Sequence, residues 1–301
     1  MQASVGLTTT QSPFIEAAQA NGEMFIRQPY ELYSEDNQAT WRRLYDRLLP
    51  RWQKYANEKF LEGVENLALD PKAVPRLEDI NKFLEPLSGF KAKAVAGYIP
   101  AYLFFDCLRV REFPTTITIR DGNALDYLPE PDIFHDVAGH VPMHTDRQFS
   151  DVLVRFGEVA RSAAQHAQEI ADPEERLRTV ESIIKGMARF FWFTVEFGLM
   201  KRPGGGTCVY GSGLLSSYGE IEHCIESPSV QRFPFQLEWV VNQYFEIDHY
   251  QPLLFVVDSF DHLFSEVGRL EEWITSGKLS NLSGGEPAVN EADLRSFLQA
   301  G

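Results

Sequence analysis

Apolar residues recur at three- and four-residue intervals along most of this chain, and that periodicity constrains the fold more than any other feature. Trp41, Leu44, Tyr45, Leu48 and Leu49 mark a helix over 39–62, which Pro50 is expected to kink or interrupt. A shorter amphipathic helix over 76–87 closes at Ser88-Gly89, and the dense apolar run 101–110 reads as a buried helix. Val152, Leu153, Phe156, Val159, Ala160 and Ala163 give helical spacing over 150–170. Asp172-Pro173-Glu174-Glu175 then announces a further helix. Asp172 can cap it, Pro173 suits its first position and Glu175 completes a capping box. That helix is expected to run to Gly198, before Lys201-Arg202-Pro203 and three glycines stop it. Further helices are expected over 215–225 and 288–298, and a short one over 14–20.

Strand signals are few. Thr115–Arg120 is β-branched and alternating, and 245–247 and 254–257 are short candidates around Pro252. No strand–helix alternation points to a doubly wound parallel sheet. The expectation is a mainly α fold with a few short strands: an irregular arm over 1–38 and a single domain over 39–301.

Composition narrows the class. With 44% hydrophobic residues the chain can build a real core, so it is not disordered as a whole. No apolar run reaches the ~20 residues of a membrane helix, and the first residues show no secretory pattern. A net charge of −15, from 28 basic and 43 acidic residues, argues against nucleic acid and anionic membranes as partners. Three cysteines without a motif favour a reducing cytoplasm over a disulfide framework or a zinc ribbon.

The most informative segment is Glu130-Pro131-Asp132-Ile133-Phe134-His135-Asp136-Val137-Ala138-Gly139-His140-Val141-Pro142. Its histidines are five residues apart, which on an ideal α-helix leaves the side chains about 140° apart. Gly139 and Pro142 indicate a resolution: the helix ends near Ala138 and His140 lies just beyond on a turning backbone. A third ligand must come from elsewhere. Glu196 is a lone carboxylate in the apolar run Phe190–Gly198, and a buried carboxylate needs a partner. Two histidines and one carboxylate form the facial triad of non-haem Fe(II) oxygenases. The same residues admit other readings. The histidines can be a satisfied structural pair, Glu196 can pair with Arg189 or Arg155, and zinc hydrolysis also uses two His and a Glu, although the zincin spacing of four is absent.

Around these residues, Arg120 can grip a carboxylate bidentately or simply form an ion pair. Tyr210–Glu220 carries glycines without a surrounding βαβ unit, so a dinucleotide loop is rejected. Its glycines let the backbone approach a ligand, with Ser216 and Ser217 as small polar groups. Trp192, Phe104, Phe134 and Phe191 can wall an aromatic cavity or belong to the core. His144 can support the histidine pair.

The segments 130–142, 192–199 (Trp-Phe-Thr-Val-Glu-Phe-Gly-Leu) and 210–220, followed by 248–260, resemble the pterin-dependent aromatic amino acid hydroxylases, in the right order over about residues 40–265. The layout is similar to that of the short bacterial members that act on phenylalanine. The resemblance implies a single catalytic domain and a monooxygenase using Fe(II), a tetrahydropterin and O2 to convert L-phenylalanine to L-tyrosine. Tryptophan, or the meta position of phenylalanine, is the alternative target; a non-catalytic metal protein and a zinc hydrolase are the remaining readings. It implies that His135, His140 and Glu196 bind iron, that Arg120 holds the substrate carboxylate with Ser216 in the same network, and that Trp192 and Pro131 line the amino acid pocket. It implies that the pterin stacks on Phe104, with Asp136 contacting it through water and Phe191 at a position that is often tyrosine. A monomer is expected, because the tetramerising helix of the animal enzymes has no counterpart. Tyr102-Leu103 stand where relatives carry Arg-Asp, and Ala138 where they carry a bulkier residue.

Overall fold

A computed structural model describes residues 6–9, 12–126 and 131–300; Glu130, part of the quoted histidine motif, lies outside them. Contacts divide the chain into two compact units, each assembled from separate stretches. The first comprises Met1–Ile99, Glu112–Arg147 and Cys208–Pro228; the second comprises Pro100–Arg111, Gln148–Thr207 and Ser229–Gly301.

In the first unit the long helix Glu35–Tyr55 starts at a capping box, in which Asn37 N–H donates to Ser34 Oγ and Ser34 N–H donates to Asn37 Oδ1. Its buried face presents Trp41, Leu44, Tyr45, Leu48 and Trp52, side chains worth about 1.5–3 kcal/mol each on burial. Pro50 does not break this helix. The interruption comes after Tyr55, where Asn57 caps the next helix, Glu58–Asn66, and donates its N–H to the Val209 carbonyl. Helix Leu77–Ser88 ends on Gly89 at φ +80°, a left-handed cap that suits glycine.

A strand over Lys91–Val95, which the sequence does not signal, pairs in parallel with Glu112–Thr116. The expected strand at 115–120 is therefore shifted towards the N-terminus. Its second half reaches only an isolated bridge, Thr8 to Ile119, which together with a bridge from Phe25 to Val95 ties down the N-terminal arm. The arm also contains the expected short helix, Pro13–Ala20.

The second unit is built on two long helices, Arg147–Glu169 and Pro173–Phe191. The Asp172 carboxylate accepts the Glu175 N–H at 2.8 Å, as the capping pattern predicts. Strands Leu199–Lys201 and Gln231–Pro234 flank Leu253–Val257, both in parallel. Residues 245–247 do not form the expected strand: Phe245 stacks on Trp192 instead. The last helix, Glu291–Leu298, follows an Asn290 capping box. The outcome is mainly α with a few short strands. Among the described residues, no helix is long and apolar enough to cross a membrane.

Candidate active site

The histidine segment departs from the expectation in an instructive way. The helix does not end near Ala138. Residues Phe134–His140 form one π-helical turn that runs directly into the short helix Val141–His144, and Val141 N–H donates to the Asp136 carbonyl five residues back. Bonding over five residues instead of four places side chains five apart above one another. The two imidazoles accordingly converge: Nε2 of His135 and Nε2 of His140 are 3.2 Å apart, with the rings at 87°.

The turn is fixed at its start by a residue the sequence reading did not single out. Asp132 is fully buried, and one of its carboxylate oxygens accepts the His135 N–H at 2.9 Å. The same carboxylate takes Nε and Nη2 of Arg120 at 2.8 and 2.9 Å, and the Arg120 backbone N–H as well. Burial opposes the Asp132 charge, but the Arg120 guanidinium and the backbone donors outweigh it and hold the carboxyl below its ordinary range. Arg120 is thus a buried ion-pair partner, 3% exposed, and its Nη1 makes longer contacts of 3.5 and 3.4 Å to the Leu125 and Asp126 carbonyls. The signal for Asp132 was its place three residues before His135, an N-cap spacing.

Close packing brings a second segment to the histidines. A Cβ on Gly139 would lie 2.9 Å from the Ser212 carbonyl and 3.2 Å from Ser216 Cβ, so glycine there permits the approach of residues 212–216. A Cβ on Gly63 would meet the Pro142 carbonyl at 2.0 Å, which fixes the other side of the turn. Ser216 Oγ reaches His135 Nδ1 at 2.8 Å, and Ser212 Oγ reaches His140 Nε2 at 2.8 Å. Sequence reasoning found Ser216 and missed Ser212. Phe113 lies against both His140 and His144, with ring centroids 4.7 Å away in each case, and burial holds His144 well below the ordinary histidine range. Asp136 is buried and accepts the Thr116 N–H at 2.6 Å; burial pushes its carboxyl up to about 7, against the pull of His140 and Thr116. Phe134 belongs to the core, edge-on to Trp41 at 5.0 Å, and not to a cavity wall.

These residues fit a divalent transition metal. Two nitrogens each ~2.1 Å from one ion, at right angles, lie roughly 3 Å apart, close to the observed separation. The ligand atoms of His135, Asp136 and His140 all lie within 4.8 Å of one another. The remote nitrogen of His135 is oriented by a hydroxyl, as metal-binding imidazoles require.

The second unit carries a second π-helical turn, Trp192–Glu196, closed by Phe197 N–H donating to the Trp192 carbonyl at 2.8 Å. Glu196 is half-buried. Neither arginine offered as its partner is assigned to it: Arg155 pairs with Glu158 and Glu271, and Arg189 donates to main-chain carbonyls at Val241, Ser283, Gly284, Gly285 and Glu286. Trp192 lies parallel to Phe245 at 4.0 Å, and its indole N–H donates to Gln251 Oε1 at 3.2 Å. Phe104 meets Phe191 edge-on at 5.6 Å. Pro131 is exposed.

Two histidines converging from a π-turn, with a serine behind His135, have the geometry of a metal-dependent enzyme site. Residues 25–276 match the model of the biopterin-dependent aromatic amino acid hydroxylases, and the chain belongs to that family. Among its relatives is the phenylalanine-4-hydroxylase of Chromobacterium violaceum, 38% identical over 239 residues that cover 79% of this chain and 75% of the relative. The crystal structure of that organism's phenylalanine hydroxylase with iron(III) and oxidized 7,8-dihydrobiopterin superposes with a TM-score of 0.76 at 33% identity, covering 92% of this chain and 97% of that one. Its iron- and phenylalanine-bound structure gives a TM-score of 0.75 at 31% identity, covering 92% and 98%.

Proposed function

We propose that this chain is an iron- and tetrahydropterin-dependent monooxygenase that converts L-phenylalanine to L-tyrosine with O2 as cosubstrate. The observation that carries this reading is the pair of Nε2 atoms brought to 3.2 Å on one π-turn, in a family whose C. violaceum relative is described with iron, dihydrobiopterin and phenylalanine. His135 and His140 would hold Fe(II) through Nε2, and Glu196 would supply the carboxylate. That ligand set keeps positions open for other ligands. When bound, the iron and the reduced pterin supply the oxygen activation that an unreactive aromatic ring needs.

The chain's own residues bind, orient and exclude water. Asp132 holds the Nε–Nη2 edge of Arg120 and so aims the guanidinium, whose Nη1 takes the substrate carboxylate. Trp192 and Pro131 line the amino acid pocket. Phe104 offers its face to the pterin, beside Phe191, and Asp136 contacts the pterin through water. Ser216 fixes the ring of His135. The fully buried Phe134, Val137, Ala138 and Val141 keep bulk water from the histidines. Residues 39–301 serve as a single catalytic domain with an arm over 1–38, as a monomer in the cytoplasm. The buried thiols of Cys107, Cys208 and Cys224 suit that compartment.

The test is an assay with Fe(II), tetrahydropterin and O2 against each aromatic amino acid, with products read by mass and chromatography. Tyrosine from phenylalanine is expected. A hydroxylated tryptophan or meta-tyrosine as main product would move the chain to another substrate of the same chemistry. Pterin-dependent hydroxylation of none of them would overturn the reading.

A further inference from the structure

Ser212 and Ser216 touch the two histidines through chemically different nitrogens. Ser216 Oγ lies 2.8 Å from Nδ1 of His135, the nitrogen remote from His140. Ser212 Oγ lies 2.8 Å from Nε2 of His140, the nitrogen that faces His135 Nε2 at 3.2 Å. Both serines are buried. A hydrogen bond at the remote nitrogen orients an imidazole and leaves its coordinating lone pair available. A hydrogen bond at the converging nitrogen does the reverse. If the Ser212 hydroxyl donates, its proton occupies the lone pair that a metal needs. If His140 Nε2–H donates to Ser212 Oγ, the ring is held in the tautomer that has no lone pair there. In either tautomer a cation takes His140 only after this contact is given up.

We infer that Ser212 is a positioning residue that acts as a placeholder on His140 Nε2, competing with the metal for that nitrogen and setting the affinity of the site below what the ligands alone would give. This rests on the reading of His135 and His140 as metal ligands. Its consequence is a reversal of sign between two serines four residues apart: Ser216 strengthens metal binding and Ser212 weakens it. Gly139 builds the competing contact into the fold, because its missing side chain is what allows the Ser212 backbone to approach within 2.9 Å of the Cβ position.

The experiment strips the full-length protein with a chelator, then titrates it with Co(II) and, anaerobically, with Fe(II). Ser212→Ala is expected to tighten both Kd values by about two- to tenfold, roughly what one hydrogen bond is worth. Ser216→Ala is expected to weaken them by about 10–100-fold. The Co(II) absorption bands of Ser212→Ala should match those of the wild type, because a placeholder is not a ligand. Unchanged or weaker binding by Ser212→Ala, or shifted Co(II) bands, would overturn the inference; weaker binding would make Ser212 a ligand or a partner of metal-bound solvent. A wild type that binds neither ion, or His140→Ala binding as the wild type does, would remove the ligand reading itself. If those controls behave and only Ser212→Ala is silent, the ligand reading stands and the placeholder falls.

Discussion

The two π-helical turns, Phe134–His140 and Trp192–Glu196, solve the same problem by opposite means. Each aims a side chain that we propose as a metal ligand by adding a residue to a helical turn. The histidine turn is held by polar contacts: a buried carboxylate beneath it, a guanidinium on that carboxylate and hydroxyls on the imidazoles. The glutamate turn packs on aromatic surfaces, with Trp192 against both Phe245 and Phe197 and the Gln251 amide accepting from its indole N–H. Polar contacts fix angles; stacked rings fix a plane and tolerate sliding within it. The first turn should therefore fail abruptly when a partner is removed, and the second gradually.

The sharpest break is Asp132→Ala. It leaves Arg120 buried without its counter-charge, so unfolding stability should fall by about 3–5 kcal/mol in urea titrations, with metal retention lost alongside. A loss under 1 kcal/mol would mean that the pair does not hold the turn. Gly139→Ala comes next. The added methyl meets backbone 2.9 Å away, and a cost of about 1–3 kcal/mol with weakened metal binding is expected. Arg120→Lys keeps the charge but loses the fork, so its main effect should be a raised KM for the amino acid, about tenfold, with a smaller change in kcat. An unchanged KM would take Arg120 out of the substrate pocket. The mildest is Gln251→Leu in the second turn: about 1 kcal/mol of stability and a few-fold rise in KM, with metal affinity intact. A loss of metal as large as in Asp132→Ala would erase the contrast between the turns.

Much of this was legible in the sequence, for local reasons. The Asp172 cap, the Gly89 stop and the apolar faces of the long helices are written within four residues of where they act. That the two histidines five residues apart converge was legible too. How that spacing closes was not, because a single π-turn has no periodicity of its own and looks from sequence like a helix end. Asp132 was overlooked because its partner, Arg120, lies twelve residues away, and Ser212 because its contact depends on the close approach that Gly139 allows. The Lys-Ala-Lys-Ala-Val strand carries little β propensity and exists through its parallel pairing with Glu112–Thr116. Phe245 kept its apolar character but spent it on Trp192 in place of a ladder.

The central proposal is that His135, His140 and Glu196 are the ligands of a ferrous ion, and metal stoichiometry tests it most directly. After anaerobic loading and desalting, the wild type should retain about one iron per chain, while His135→Ala, His140→Ala and Glu196→Ala should each retain almost none although they remain folded. Full iron occupancy in Glu196→Ala would show that the second turn supplies no ligand and would contradict the account.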